Sequence, residues 1–213
     1  MLIVLNHLSA LSILLPIGAA GLKYSLHNRV LRLLAWFFFI SGFFDLSLVV
    51  TNYLSIRNLP LFHIFAAVNL FFLSAVYYYT LHGSLARQAV KIAAGLGLLL
   101  VFYNAVFIGG IWQFPSLPIT GQSILFIFLA LLYFYQLLHQ PAVFAIEKQP
   151  LFWINAAVLI YFSGNLFLFM LQNWLNRMQQ PDYTSYWAIH SVVNIFANLL
   201  YAVGLLCKPQ RLT

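Results

Sequence analysis

The chain is short of charge. Of 213 residues, ten are Lys or Arg and three are Asp or Glu, 6% in all. A water-soluble domain covers itself with about 25% charged residues, so this composition excludes one. Cysteine is scarce too: Cys207 stands alone and cannot form an intrachain disulfide. A Gly-rich phosphate loop, a G-x-S-x-G elbow, an H-E-x-x-H pair and a Cys pair are all missing. That removes the local signatures of nucleotide, hydrolase and zinc chemistry. One acid inside an apolar run also leaves paired-carboxylate hydrolysis and a multi-step proton relay without their groups.

What remains is apolar and aromatic, 63% and 18% of residues, with a mean hydropathy of +0.93. A membrane helix needs about 20 mainly apolar residues. Seven such runs stand out, at 2–22, 30–53, 60–82, 90–112, 119–139, 150–174 and 185–207. The expected fold class is therefore all-α: a polytopic membrane protein with a single seven-helix domain over 1–213. Seven of the eight prolines lie at or between the ends of these runs, and only Pro16 interrupts one. Pro16 is expected to kink the first helix.

Basic residues set the expected orientation. Lys23, Arg29, Arg32, Arg87, Lys91, Lys148, Lys208 and Arg211 fall on one side of the membrane, and Arg57 and Arg177 on the other. The bias predicts an outside N-terminus, a cytoplasmic C-terminus and residence in a bacterial cytoplasmic membrane. The first run ends in Gly18-Ala19-Ala20-Gly21. Its charges follow it rather than precede it, so it reads as a retained span, not a signal peptide. Trp112, Trp174 and Trp187 are expected near the outer boundary, with Trp36, Tyr77, Tyr78, Tyr79 and Trp153 near the inner one.

A weak internal repeat accompanies this pattern. Ser12-Ile-Leu-Leu echoes Ser123-Ile-Leu-Phe, Ser41-Gly42 echoes Ser163-Gly164, and Val68-Asn69-Leu-Phe echoes Val193-Asn194-Ile-Phe, in chain order. The matches suggest parallel three-helix units over 2–82 and 119–207, joined by a linker helix at 90–112.

Asp45 is the most informative residue. Deep in the second run, a carboxylate facing lipid costs at least ~2.5 to 3.5 kcal/mol, so it should face the bundle interior. Ser41, Asp45 and Asn52 share a helix face within about 40°. A second polar face runs through His190, Asn194, Asn198 and Tyr201, within about 80°, flanked by Ser191. Asn6, His7, His63, Asn69, Asn104, Gln122 and Asn165 fall at similar depth. Together they outline an outward-opening cavity, with Asp45, Ser41, Asn69, Asn165, His190, Asn194 and Asn198 as expected ligand contacts. The bland alternative for the Asn residues is interhelical hydrogen bonding. His7, His63, His190 and Asp45 form a weaker possible metal set, since each comes from a different helix. His27, His82 and His139 sit at inner helix ends. The seventh run has no lysine before Lys208, so a retinal Schiff base has no attachment point, and no cofactor is expected.

Two resemblances add to this reading. Seven spans, an outside N-terminus and two parallel triplets around a linker resemble the superfamily of microbial rhodopsins, SWEET sugar transporters and PQ-loop proteins. The rhodopsin lysine and a Pro-Gln loop pair are absent, so neither activity is implied. Over the last third, Phe152-Trp153-Ile154, Leu159-Ile160-Tyr161-Phe162-Ser163-Gly164-Asn165-Leu166-Phe167, Ile189-His190-Ser191, Asn194-Ile195 and Asn198-Leu199-Leu200-Tyr201-Ala202 are similar to uncharacterised bacterial seven-helix proteins. Some of those look like membrane sensor modules of histidine kinases, which implies a sensing role.

The expected function is thus a receptor or sensor module that binds a small or lipidic ligand and signals through a partner protein. A small-solute transporter of the parallel-triplet type and a metal-dependent membrane enzyme are the alternatives. Besides a ligand and a signalling protein, the lipid bilayer is the expected partner; nucleic acid is not.

Overall fold

A computed structural model describes residues 2–139, 145–178 and 183–207. Among them are seven helices long and apolar enough to cross a membrane, the architecture of an integral membrane protein. The first span is two helices, α1 (Leu2–Ser12) and α2 (Leu14–Lys23). The other spans are α3 (Arg29–Tyr53), α4 (Leu59–Thr80), α5 (Ser84–Tyr103), α6 (Ser116–Leu138), α7 (Pro150–Met178) and α8 (Tyr183–Leu206). Lys208 and Arg211, read above from the sequence, lie outside the described residues, as do three of the eight prolines, Pro141, Pro181 and Pro209.

The break at Ile13 has its cause three residues on. Pro16 has no N–H to give the Ser12 carbonyl, and its ring crowds that turn. Local residues set the other ends. The Asn28 side chain accepts from Leu31 N at 3.0 Å to cap α3, and Pro150 opens α7, where its missing N–H is harmless. The fourth span starts at Ser84 rather than 90, because its first turn is polar and hydropathy marks only the apolar part. After α5 the chain widens into a π turn over Asn104–Ile108, with no warning in the sequence. Gly110, at φ 66°, stops it there instead of at 112.

Six spans form a ring. The first packs against the second and seventh, the seventh against the sixth, the sixth against the fifth, the fifth against the third, and the third against the second. The fourth packs outside this ring against the third and fifth, and only 11% of its apolar window is buried. Gly42 and Gly164, equivalent under the expected repeat, meet non-equivalent neighbours. A Cβ at Gly42 would reach Ile17 of the first span at 2.7 Å, and one at Gly164 would reach Val193 of the seventh at 2.9 Å.

The two halves of the ring are built differently. At the end carrying Lys23, Arg29, Arg87 and Lys91, the interior is solid: Leu34, Phe38, Leu73, Tyr77, Phe126, Val158 and Leu205 are buried in one cluster. This end is also tied together by side chains. Lys23 Nζ donates to the Leu206 carbonyl, His27 Nε2 meets the Leu205 carbonyl at 3.0 Å, and the Arg29 guanidinium lies 4.2 Å from the Tyr79 ring centroid. Tyr77 is not the boundary residue expected from its position. It is 1% exposed and donates to Asn155 Oδ1 at 2.8 Å, because its neighbours Tyr78 and Tyr79 take the faces toward Lys91 and Arg29. The opposite half of the ring is not filled.

Candidate functional site: a polar cavity around Asp45

The unfilled half holds a cavity of about 100 Å³ between α1, α3, α4, α7 and α8. It adjoins a second space of about 120 Å³ that runs toward α6. Asp45, Asn69 and His190 line both. One water occupies roughly 10–15 Å³ on this measure, so each space admits several waters or a small polar group. The second space is roofed by Phe62, Phe114, Phe169 and Trp187. Phe62 and Phe114 meet edge to face at 5.2 Å. Trp187 therefore faces the cavity rather than a membrane boundary, whereas Trp112 and Trp174 are exposed.

Asp45 sits about 12 Å from the Tyr53 end of α3, at 1.5 Å per residue. It makes no hydrogen bond or ion pair with any described residue, and its helix neighbour Ser41 lines the cavity with it. Ser41 Oγ donates to the Phe37 carbonyl at 2.8 Å. Asn52, predicted on the same face, is exposed beyond the cavity, since the face runs past the end of the neighbouring helices. Across from Asp45, Asn69 Oδ1 is buried without a hydrogen-bond partner.

His190 is held from behind. Asn165 Nδ2 donates to the Tyr161 carbonyl at 2.8 Å, which turns Asn165 Oδ1 toward His190 Nδ1 at 2.9 Å. An oxygen only accepts, so Nδ1 carries the hydrogen and Nε2 of the neutral ring is an acceptor. Rings of Trp187, Phe169 and Tyr161 surround the imidazole at 5.4, 5.8 and 6.1 Å. Asn165 is fully buried and lies outside the cavity lining. Expected as a ligand contact, it lies behind His190 and holds that ring instead of lining the cavity.

The lower asparagines have two duties. Asn194 Nδ2 donates to Ser9 Oγ at 3.0 Å and Asn198 Nδ2 to Ser12 Oγ at 2.8 Å, while Ser191 Oγ donates to Asn6 Oδ1 at 2.8 Å. These three rungs fasten α8 to α1, yet Asn194 and Asn198 also line the cavity. Gln122 is likewise engaged internally: its Nε2 donates to the Ala66 carbonyl at 2.9 Å.

The remaining histidines go elsewhere. His63 Nε2 meets the Gln113 carbonyl at 3.0 Å and His7 is exposed on α1. Among the described residues, no three His, Cys, Asp or Glu side chains gather to hold a metal ion. His7, His63, His190 and Asp45 are therefore not assembled as a metal site: Asp45 and His190 share a cavity, but His63 is tied to Gln113 and His7 is exposed on α1. Asn104 is buried in the π turn of the peripheral fourth span, away from the cavity. Tyr161 is a lining residue that polarity patterns miss, for its ring hides its hydroxyl among aromatics. Neither the Tyr161 nor the Tyr201 hydroxyl bonds to a described residue, and both residues line the cavity.

No protein-family model, curated protein or solved structure matches this chain.

Proposed function

We propose that the protein is a receptor or sensor module that takes a small or lipidic ligand into the Asp45 cavity and passes the signal to a partner protein. One observation carries the reading: an unpaired carboxylate, faced by a buried unpartnered amide oxygen, lines a space large enough for a ligand group. Unsatisfied polar atoms inside a membrane are costly, and a ligand that binds them offsets that cost. Asp45, Asn69 and His190 make the contacts. Ser41, Asn194 and Asn198 shape the wall, and Asn165 orients His190.

The solid half at the basic end favours a receptor over a carrier, since alternating access would have to part the Phe38–Tyr77–Phe126 packing. The excess of Lys and Arg at that end supports a cytoplasmic placement in a bacterial inner membrane, with the cavity in the outer half. Signal transfer then falls to helix contacts and inner loops, in keeping with the likeness to kinase sensor modules.

Native mass spectrometry of protein extracted in membrane discs tests the reading. A molecule retained by wild type and lost from Asp45→Asn is the expected result. An adduct that is indifferent to this substitution overturns the site, and flux of that molecule into proteoliposomes overturns the receptor in favour of a carrier.

A further inference from the structure

A third space bears on what the ligand is. A groove of about 550 Å³ lies between the first span and α3, walled by His7, Ala10, Leu14, Gly42, Phe43 and Leu46, with Asp45 also in its lining. It exists because the two helices part. The α2 half of the first span packs against α3 and α8, whereas α1 packs against α8 and hardly meets α3. The Pro16 break separates these halves, and Gly42 lets Ile17 close in only below it. Ile13 and Asp45 wall both this groove and the inner cavity. The sole carboxylate of the described spans thus stands where a lipid-side groove meets a polar interior.

Several polar groups of the cavity are already engaged and others are not. The amide N–H groups of Asn194 and Asn198 are taken up by α1, and the Ser41 hydroxyl by its own helix. The Asp45 carboxylate, Asn69 Oδ1 and, in the neutral ring, His190 Nε2 accept and have no described donor. No Lys or Arg lines any of the three spaces. Aromatic rings, Phe37, Phe38, Phe65, Tyr161 and Phe162 among them, form much of the wall. The Tyr161 and Tyr201 hydroxyls are unbonded as well and can either give or take a hydrogen bond, so charge decides: one carboxylate, no Lys or Arg beside it and a wall of ring faces select an organic cation.

Building on the receptor reading, we infer that the ligand is a long-chain amine. Its ammonium group sits on Asp45 among the aromatic rings, and its alkyl chain leaves sideways through the groove between the first span and α3 into the bilayer. Such a molecule is already concentrated in the membrane and needs no passage through the aromatic roof.

The test uses a primary alkylamine with a diazirine at mid-chain, and its alcohol analogue, on full-length protein in phosphatidylcholine nanodiscs. Photolabelled positions are mapped by peptide mass spectrometry. The amine should label the groove walls on α1 and α3 saturably, and unlabelled dodecylamine should compete. Asp45→Asn should lower that labelling about tenfold or more, the loss expected when a charge-assisted contact is removed. Ala10→Phe, which fills the groove without touching the carboxylate, should lower it too. Equal labelling by amine and alcohol, labelling unchanged in Asp45→Asn, or labelling confined to the roof around Trp187 overturns the amine inference. If these occur while native mass spectrometry still finds an Asp45-dependent adduct, the receptor reading stands without it. If no such adduct is found either, both fall.

Discussion

Asn165 fixes His190 through a two-step relay. Its amide nitrogen donates to the Tyr161 carbonyl at 2.8 Å and its oxygen receives His190 Nδ1 at 2.9 Å. The imidazole is thereby locked as the Nδ1–H tautomer, which leaves Nε2 as the acceptor of a residue that lines the cavity. Nitrogen-15 spectra of His-labelled protein, with His190→Gln for assignment, should show this tautomer alone. Asn165→Ala should give a mixture of tautomers and weaken ligand retention while leaving the helices intact. An unmixed spectrum in that variant would mean that packing by Trp187 and Phe169 orients the ring unaided.

The rungs between α1 and α8 give a prediction about stability. Asn6, Ser9 and Ser12 recur every three residues on α1, opposite Ser191, Asn194 and Asn198. Hydrogen bonds between membrane helices average about 0.6 kcal/mol and reach about 1.7. A double-mutant cycle on Ser12→Ala and Asn198→Ala should therefore give a coupling within that range, measured by unfolding in mixed micelles. Coupling indistinguishable from zero would remove the rung and leave Asn198 as a lining residue only.

The seven spans were legible because hydrophobic runs of bilayer length have no other common use. Asp45 was legible for the converse reason, that a lone intramembrane acid must turn inward. Helical spacing placed Ser41, His190, Asn194 and Asn198 on inward faces, and the cavity has all four. Spacing within one helix could not tell which inward amide would find a partner on another. Asn165 therefore passed for a contact, though it lies behind His190, while Asn194 and Asn198 divide between α1 and the cavity. Tyr77 and Trp187 were misplaced because depth along a helix does not report direction around it. The lateral groove was illegible: it depends on two helices that part above Pro16, a matter of packing between segments.

At the solid end, Tyr77 and Asn155 offer a control remote from the ligand. Tyr77 Oη donates to Asn155 Oδ1 at 2.8 Å, and Asn155 Nδ2 donates to the Leu151 carbonyl at 2.8 Å. Tyr77→Phe removes one buried donor at a net cost of about 1 kcal/mol. Thermal unfolding should shift down accordingly, with Asp45-dependent ligand retention unchanged. Loss of retention in this variant would show that the two halves of the ring are coupled.

At that same end α8 packs closely on α7 at Gly204. A Cβ there would stand 2.8 Å from Ile154 Cγ1 and 2.9 Å from the Pro150 carbonyl oxygen. The second contact is backbone and cannot swing aside. Gly204→Ala should destabilise by about 1–3 kcal/mol, the usual range for overpacking, despite the better helix propensity of alanine. A variant as stable as wild type would mean that the helix pair has room to separate.

Asp45 itself makes the sharpest stability prediction, because a binding group and a structural strut differ in sign. A strut stabilises through its partners, and its removal costs what they gave. Asp45 has no hydrogen-bond or ion-pair partner among the described residues, so in ligand-free protein the main contribution of its carboxylate is the cost of its own desolvation. That cost is bounded by the ~2.5 to 3.5 kcal/mol of an acid at the centre of a membrane helix, and a wet cavity lowers it. Asp45→Asn should therefore leave the ligand-free melting temperature unchanged or raise it, and Asp45→Leu should raise it further. When the ligand retained by wild type is present, the order should reverse, since only wild type gains from binding. A ligand-free loss of more than about 1 kcal/mol, the size of one net hydrogen bond, would mark Asp45 as a strut and take the binding site with it.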